Sequence, residues 1–403
     1  MTSWLHRCAL LLCLFCWMSA SYASKVDSFA LQSKKQLDVL LASGKRTPLD
    51  ALTPHGKRRL IQSLRWGRRG LGGFDTGPLL QELDAVQLAE ALSFLNGDYL
   101  TPGLVAKLIG PPIRLPGPSQ RLEDEVKRMA QLADGLAGNR SAPISATSNP
   151  LAPDLVSHYE RTFGSSMSPS SLIHHPVGDL PLLFEAALLA SNLDQNSAAI
   201  EHVQMVHQEL IKRGIDTRRK FDDSVLYVLL AAREFDKARA FASGRPHLAG
   251  QTIPEVADPL GSSFTGRSVY ELDSSGKLLT RQMVQIDAGL VMTVGTGCHF
   301  SNDALAAIRN NPDLQARLRR EGLMLLISPR APVPLSYVAE WNRANPTLPI
   351  RVPVNVTEWR EIADAGTPEF FLYRKNKVVG HLVGWPGGGQ MAELLKLLDI
   401  PRD

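Results

Sequence analysis

Cysteine is scarce in this chain: there are four in 403 residues, and three of them, Cys8, Cys13 and Cys16, fall within the first sixteen. Beyond residue 16 only Cys298 remains, so no internal disulfide can form there. Long apolar runs are equally rare. Past the N-terminus no segment approaches the about 18 consecutive apolar residues of a membrane span. There is no phosphate-binding glycine loop, no G-x-S-x-G nucleophile elbow and no zinc-ligand spacing. Nucleotide, serine-hydrolase and zinc chemistry are therefore not expected, and neither is a bound cofactor or metal. Acidic residues nearly vanish between Lys45 and Arg69, where eight lysines and arginines face only Asp50.

What is present describes a folded protein. Apolar residues make up 44% of the chain, charged residues 21%, and the net charge is +4. A chain of this length exceeds what one core usually supports, so two or three domains are expected. Residues 1–23 read as a secretory signal peptide. Arg7 gives the positive start, Cys8 to Met18 the apolar run, and Ser21-Tyr22-Ala23 a small-x-small cleavage site. An uncleaved anchor is the alternative reading. Leu12 and Phe15 are too bulky to precede a lipid-bearing cysteine. Cleavage removes three cysteines and leaves Cys298 alone in an exported, soluble protein. An odd cysteine in such a protein is either a reactive thiol, a partner in an intermolecular bond, or a small buried hydrophobe. No nucleic-acid partner is expected of an exported chain. The basic stretch around Trp66 reads either as a contact for a membrane surface or an acidic partner, or as a solvated helix face.

Apolar periodicity organises the rest. Residues 24–110 form a helical region, with Pro78 opening "PLLQELDAVQLAEALSFLN". Residues 111–155 form a Pro/Gly/Ser-rich linker carrying a short helix, with "GNRSAPISATSNPLAP" as its flexible part. Residues 156–255 are helical again, either as helical hairpins of the tetratricopeptide type or as a plain bundle. His174-His175 lie in a loop there, without a carboxylate or cysteine at ligand spacing.

From about residue 265 the pattern changes. "SVYELDSSGKLLTRQMVQID" alternates around a turn and reads as a hairpin. "GLVMTVGT" is a buried strand, and "NDALAAIRNNPDLQARLRREG" is a helix interrupted at Pro312. "LMLLISP" is a second strand, "PLSYVAEWNRAN" a helix, and "IRVPVNVTEWREIADAG" a short strand with a helical turn. "EFFLYRKNKVVGHLVGW" makes two strands, and "GQMAELLKLLDI" closes with a helix. The order β-α-β-α-β-β-α indicates a mixed sheet with flanking helices, following a helical N-terminal region. His381, Trp341 and Trp385 read as structural.

Three features of this last third resemble the thioredoxin superfamily. A strand runs into Cys298-His299-Phe300-Ser301 and then a helix, which puts Cys298 where the family carries the first residue of its C-x-x-C motif. Gly366-Thr367-Pro368 leads into "EFFLY" like the family's Thr-Pro loop. A hairpin, the "GWPGGG" turn and a closing helix follow. The resemblance implies a thioredoxin-like domain over residues 265–403, a cis Pro368 facing Cys298, catalytic roles for Cys298, His299 and Ser301, and client binding at Gly366, Thr367 and Pro368. Ser301 stands where the resolving cysteine would be, and Gly297 where many members have tryptophan. Seventy positions separate Cys298 from Pro368, which implies an insertion around Ala331 to Val356. Such a protein would work in the bacterial periplasm on protein or peptide clients, with a resolving thiol supplied by another molecule. It would exchange disulfides as a monothiol enzyme, or serve as a redox-silent interaction module in an envelope assembly.

Overall fold

Leucines set the first core. The computed structural model of the chain describes residues 31–67, 70–138, 152–192 and 198–401. The expected leader, its three cysteines, Arg68, Arg69 and most of the expected flexible stretch lie outside these. The chain divides into two compact units, one up to Arg114 and one from Leu115 onward. Five helices build the first: α1 (Lys34–Ala42), α2 (Pro54–Ser63), α3 (Gly77–Glu82), α4 (Ala85–Phe94) and α5 (Thr101–Val105). They close over Leu37, Leu49, Leu60, Leu79, Leu88 and Leu92, all buried.

Two features of this unit correct the all-helical expectation. A small antiparallel pair, β1 (Arg65–Gly67) and β2 (Gly70–Gly73), interrupts it. Its glycine content disfavours a helix by about 1 kcal/mol per glycine relative to alanine. The helix expected to run on from Pro78 is also divided. Asp84 accepts from the backbone of Val86 and Gln87 at 3.0 and 2.9 Å, and Gln87 Oε1 accepts in return from the Asp84 N–H at 3.3 Å. That reciprocal cap starts a new helix where a continuous one was expected. The basic stretch is partly neutralised, with Lys57 paired to Asp50 at 2.5 Å and Arg59 lying 3.6 Å from Asp75.

The second unit starts with helices: α6 (Gln120–Gly138), α7 (Ala152–Phe163), α8 (Pro169–Leu172), α9 (Leu180–Ser191), α10 (Ala198–Lys212), α11 (Phe221–Ala231) and α12 (Phe235–Ser243). Helix α6 occupies much of the span read as linker. Helix α9 is apolar on nearly every face and is buried accordingly. The Phe184 ring meets Phe221 edge-on at 5.1 Å, which joins α9 to α11. His175 lends its carbonyl to Arg213 at 2.7 Å. Among the described residues no group of three metal-ligating side chains forms, there or elsewhere. No described helix is long and apolar enough to cross a membrane.

An eight-stranded mixed sheet follows. Its strands are β3 (Glu255–Ala257), β4 (Ser268–Leu272), β5 (Leu278–Met283), β6 (Ala288–Val294), β7 (Met324–Ile327), β8 (Ile350–Pro353), β9 (Glu369–Arg374) and β10 (Lys377–Val383), in spatial order β10-β9-β6-β7-β8-β4-β5-β3. Strands β6, β7 and β8 run parallel; on one side β9 pairs antiparallel with β6, and β10 pairs antiparallel with β9. Helices α13 (His299–Arg309) and α14 (Pro312–Arg320) connect β6 to β7, and α15 (Leu335–Ala344) connects β7 to β8. Helix α16 (Met391–Leu398) packs on β10. The fold class is thus the expected one: a helical N-terminal region followed by a mixed sheet with flanking helices. The segment read as an insertion, Ala331 to Val356, is part of that sheet. It supplies α15 and β8, and β8 links β7 to the β4–β5 hairpin. The short strand in "IRVP" is therefore an interior member of the sheet. All six residues of β9 are buried, as expected of a strand covered on both faces.

One buried cation joins the helical layer to this sheet. Arg233, at the left-handed turn between α11 and α12 (φ 64°), donates to five main-chain carbonyls at 2.8–3.1 Å. Two, from Leu230 and Ala231, are on its own side; three, from Pro329, Ala331 and Pro353, are in the loops after β7 and at the end of β8. Burial pulls its pKa down to about 10, which still leaves it charged at neutral pH. The Phe235 ring adds an edge-on contact with Tyr270 of β4 at 5.6 Å. Replacing Arg233 with alanine strands several carbonyls without donors, so Arg233→Ala is expected to cost about 3 kcal/mol of unfolding free energy. Arg233→Lys should recover only part of this, since an ammonium has three donors for five acceptors. Urea unfolding followed by circular dichroism measures both, and an unchanged midpoint in the alanine variant would contradict the assignment.

Candidate functional site

The site starts at the end of β6, where buried apolar residues give way to Gly295-Thr296-Gly297. Gly297 has φ 72°, a left-handed conformation that glycine adopts without the strain of a side chain. Any residue with a side chain would be strained there. Cys298 follows in extended conformation as the N-cap of α13, its carbonyl accepting from the Asn302 N–H at 3.1 Å. The first turn of α13 carries no acidic residue. No carboxylate therefore competes with the sulfur for the positive end of the helix.

The thiol of Cys298 is half-buried and donates to the Thr367 carbonyl at 3.0 Å. The Thr367–Pro368 peptide is cis, as the resemblance implied, and the loop lies against the thiol. Gly295 permits this approach: a Cβ there would stand 2.5 Å from Thr367 Oγ1. Ser301 is fully buried, and its hydroxyl accepts from the Gly295 N–H at 3.3 Å. That leaves its own proton for the sulfur.

These contacts set the thiol's acidity. Burial pushes its pKa up. The Ser301 N–H, the hydroxyls of Thr367 and Ser301, and the Phe300 N–H pull it down by more, so the Cys298 thiol sits below its usual range. The one opposing contact is the bond to the Thr367 carbonyl, which only the protonated form can make.

Of the six residues singled out from the sequence, five meet here: Cys298, Ser301, Gly366, Thr367 and Pro368. His299 does not join them. It is exposed, its ring centroid lies 3.8 Å from that of Phe300, and no hydrogen bond among the described residues connects it to Sγ.

Three residues beneath the loop were not singled out as a unit. Thr293 Oγ1 donates to the Gly366 carbonyl at 2.7 Å and accepts from the Glu369 N–H at 3.1 Å. The buried Glu369 carboxylate accepts from the Gly366 N–H at 2.7 Å through Oε1 and meets His381 Nε2 at 2.8 Å through Oε2. The peptide groups flanking Gly366 are thus held by one hydroxyl and one carboxylate. The His381 ring also stacks on Phe371 at 4.5 Å, which agrees with a structural reading of that histidine. A carboxylate directly after Thr-Pro, opening an otherwise apolar strand, was the available signal for Glu369.

No family model matches the chain, and no curated protein matches it. Among solved structures, a thioredoxin-like protein from Bacteroides caccae aligns with 64% of this chain and 96% of its own length, at 14% identity and a TM-score of 0.23. Any reaction assigned to this chain rests on the geometry around Cys298.

Two substitutions separate acidity from support. Removing one donor in Ser301→Ala is expected to move the midpoint of the Cys298 alkylation rate upward in pH. Glu369→Ala leaves the Gly366 N–H without its acceptor and should cost about 2 kcal/mol of stability, read from urea unfolding. An unmoved midpoint in the first variant would mean that the serine hydroxyl does not stabilise the thiolate.

Proposed function

We propose that this chain is an exported thioredoxin-like protein that forms mixed disulfides through the single thiol of Cys298, with the Gly366-Thr367-Pro368 loop receiving the client. The observation that carries this reading is the placement of Cys298. It caps a helix N-terminus, has its pKa drawn down, and touches the carbonyl of a cis Thr-Pro peptide. In the first step the Cys298 thiolate attacks one sulfur of a client disulfide. The client S–S bond breaks, a Cys298–client bond forms, and the other client sulfur leaves as a thiolate that takes a proton from water. Electrons balance, since one disulfide replaces another. Ser301 has no sulfur with which to complete the exchange. Release therefore requires an external thiol, from a small molecule or a partner protein, to attack the mixed disulfide and return Cys298 as thiolate. An extended client segment would pair with the Thr367 backbone.

Residues 1–23 would direct the chain to the periplasm, and the Lys45–Arg69 stretch would offer contact with an anionic membrane surface. A second reading follows from Ser301. Without a resolving thiol, the same loop could bind envelope proteins as a redox-silent module.

The test is the pH dependence of Cys298 alkylation, together with trapping by oxidised glutathione. The expected midpoint lies below the ordinary thiol value of about 8.5. Because the folded-state pKa is lowered, thiolate reactivity persists as pH falls below that value and is lost only on passing the folded-state midpoint. On the chain from residue 24 onward, mass spectrometry should find one glutathione on the wild type and none on Cys298→Ala. A thiol that reacts only after unfolding would remove the redox reading, and client capture unaffected by Cys298→Ala would favour the module.

A further inference from the structure

Helix α13 has a second feature at its other end, about 15 Å from Cys298 at 1.5 Å per residue. A cavity of about 330 Å³ opens between the C-terminal part of α13, helix α14 and the connection from α15 to β8. This lies at the small end of the range for ligand pockets. Ile308, Leu318 and Leu348 contribute apolar walls. The Trp341 indole completes them, held by its Nε1 donating to the Leu348 carbonyl at 2.9 Å.

The charge on the rim has one sign. Arg309, Arg319 and Arg351 line the cavity, and no aspartate or glutamate does. Arg351 is engaged by Glu271 at 3.2 Å. Arg309 and Arg319 have no carboxylate partner among the described residues. Arg309 and Arg319 are exposed at the mouth, within reach of an incoming ligand, and like charges beside low-dielectric walls raise the positive potential in the opening. A wholly polar anion would leave the leucine and tryptophan walls wet. An uncharged hydrocarbon would make no use of the guanidiniums at the mouth.

We propose that this cavity binds a small amphipathic organic anion: one carboxylate or phosphate monoester head, held by Arg309 and Arg319, on a short alkyl or aryl body lying against Trp341. Guanidinium suits either head, because its fork donates two parallel hydrogen bonds to paired oxygens. The site is independent of the thiol chemistry, so its fate and that of Cys298 separate cleanly.

Calorimetric titration of the full chain with octanoate, octyl phosphate, octanol and octyltrimethylammonium tests it. Both anions are expected to saturate a single site, and the alcohol and the cation to bind at least tenfold more weakly. The tighter of the two anions identifies the head, carboxylate or phosphate. The doubly substituted Arg309→Gln/Arg319→Gln chain should lose at least tenfold in anion affinity, with its thermal midpoint and Cys298 alkylation rate unchanged. Trp341→Phe should abolish any ligand-dependent change in tryptophan fluorescence. Octanol binding as tightly as octanoate, an unaffected double variant, or no saturable binding by either anion would overturn the proposal.

Discussion

A single guanidinium, that of Arg233, holds the seam on which the second unit depends. Burying a charge without a carboxylate is costly, and the structure offsets that cost with five main-chain carbonyls. Three of them belong to the sheet side, at Pro329, Ala331 and Pro353. The loops they fix continue toward the thiol. Ser328 Oγ donates to the Ala365 carbonyl at 3.0 Å, and Arg330 pairs with Asp364 at 2.9 Å. Gly366 comes next, held by Thr293 and Glu369, and Thr367 places its carbonyl on Cys298. A continuous run of hydrogen bonds thus links the helical layer to the thiol. Its continuity is geometric; energetic coupling between its ends would need double-mutant cycles.

The Cys298 end of this run was legible in the sequence because its signals are local. A buried strand, a glycine pair, a cysteine and a helical pattern follow one another within a dozen residues, and Thr-Pro before an apolar strand is equally compact. The interrupted helix at Pro312 and the β4–β5 hairpin were legible for the same reason. What stayed hidden depends on distant partners. Arg233 sits within an amphipathic helical pattern, where a charge ordinarily means solvent. Nothing local reveals that carbonyls about a hundred residues later will enclose it. Strand β8 was legible as a short strand, but its pairing with β7 and β4 was not, because both partners are distant in sequence. The glycine-rich turn at residues 65–73 was taken with its helical surroundings, although its composition favoured the small strand pair it forms.

Glu369 lies between these cases. Its place next to Thr-Pro is visible, but its function as an anchor depends on Thr293, seventy-six residues earlier, and on His381 in the next strand. In the sequence His381 stands alone on a strand, which points to a structural role. The structure keeps that role and gives it a partner. A buried carboxylate accepting from both Gly366 and His381 orders the loop without itself meeting the sulfur.

Cys298 is the single cysteine among the described residues, and its surroundings bear on how a mixed disulfide there would open. Ser301 is fully buried and hydrogen-bonded to Gly295, and having no sulfur it cannot carry an exchange forward. The features that lower the Cys298 pKa also make it a good leaving group, since a thiol of lower pKa departs faster. A mixed disulfide at Cys298 would therefore be quick to open once an external thiol reaches it and slow to open otherwise. Its lifetime would be set by the approach of the second molecule, with the half-buried sulfur and the Thr367–Pro368 loop controlling access. On the proposed reading, control of release lies with the molecule that brings the second thiol.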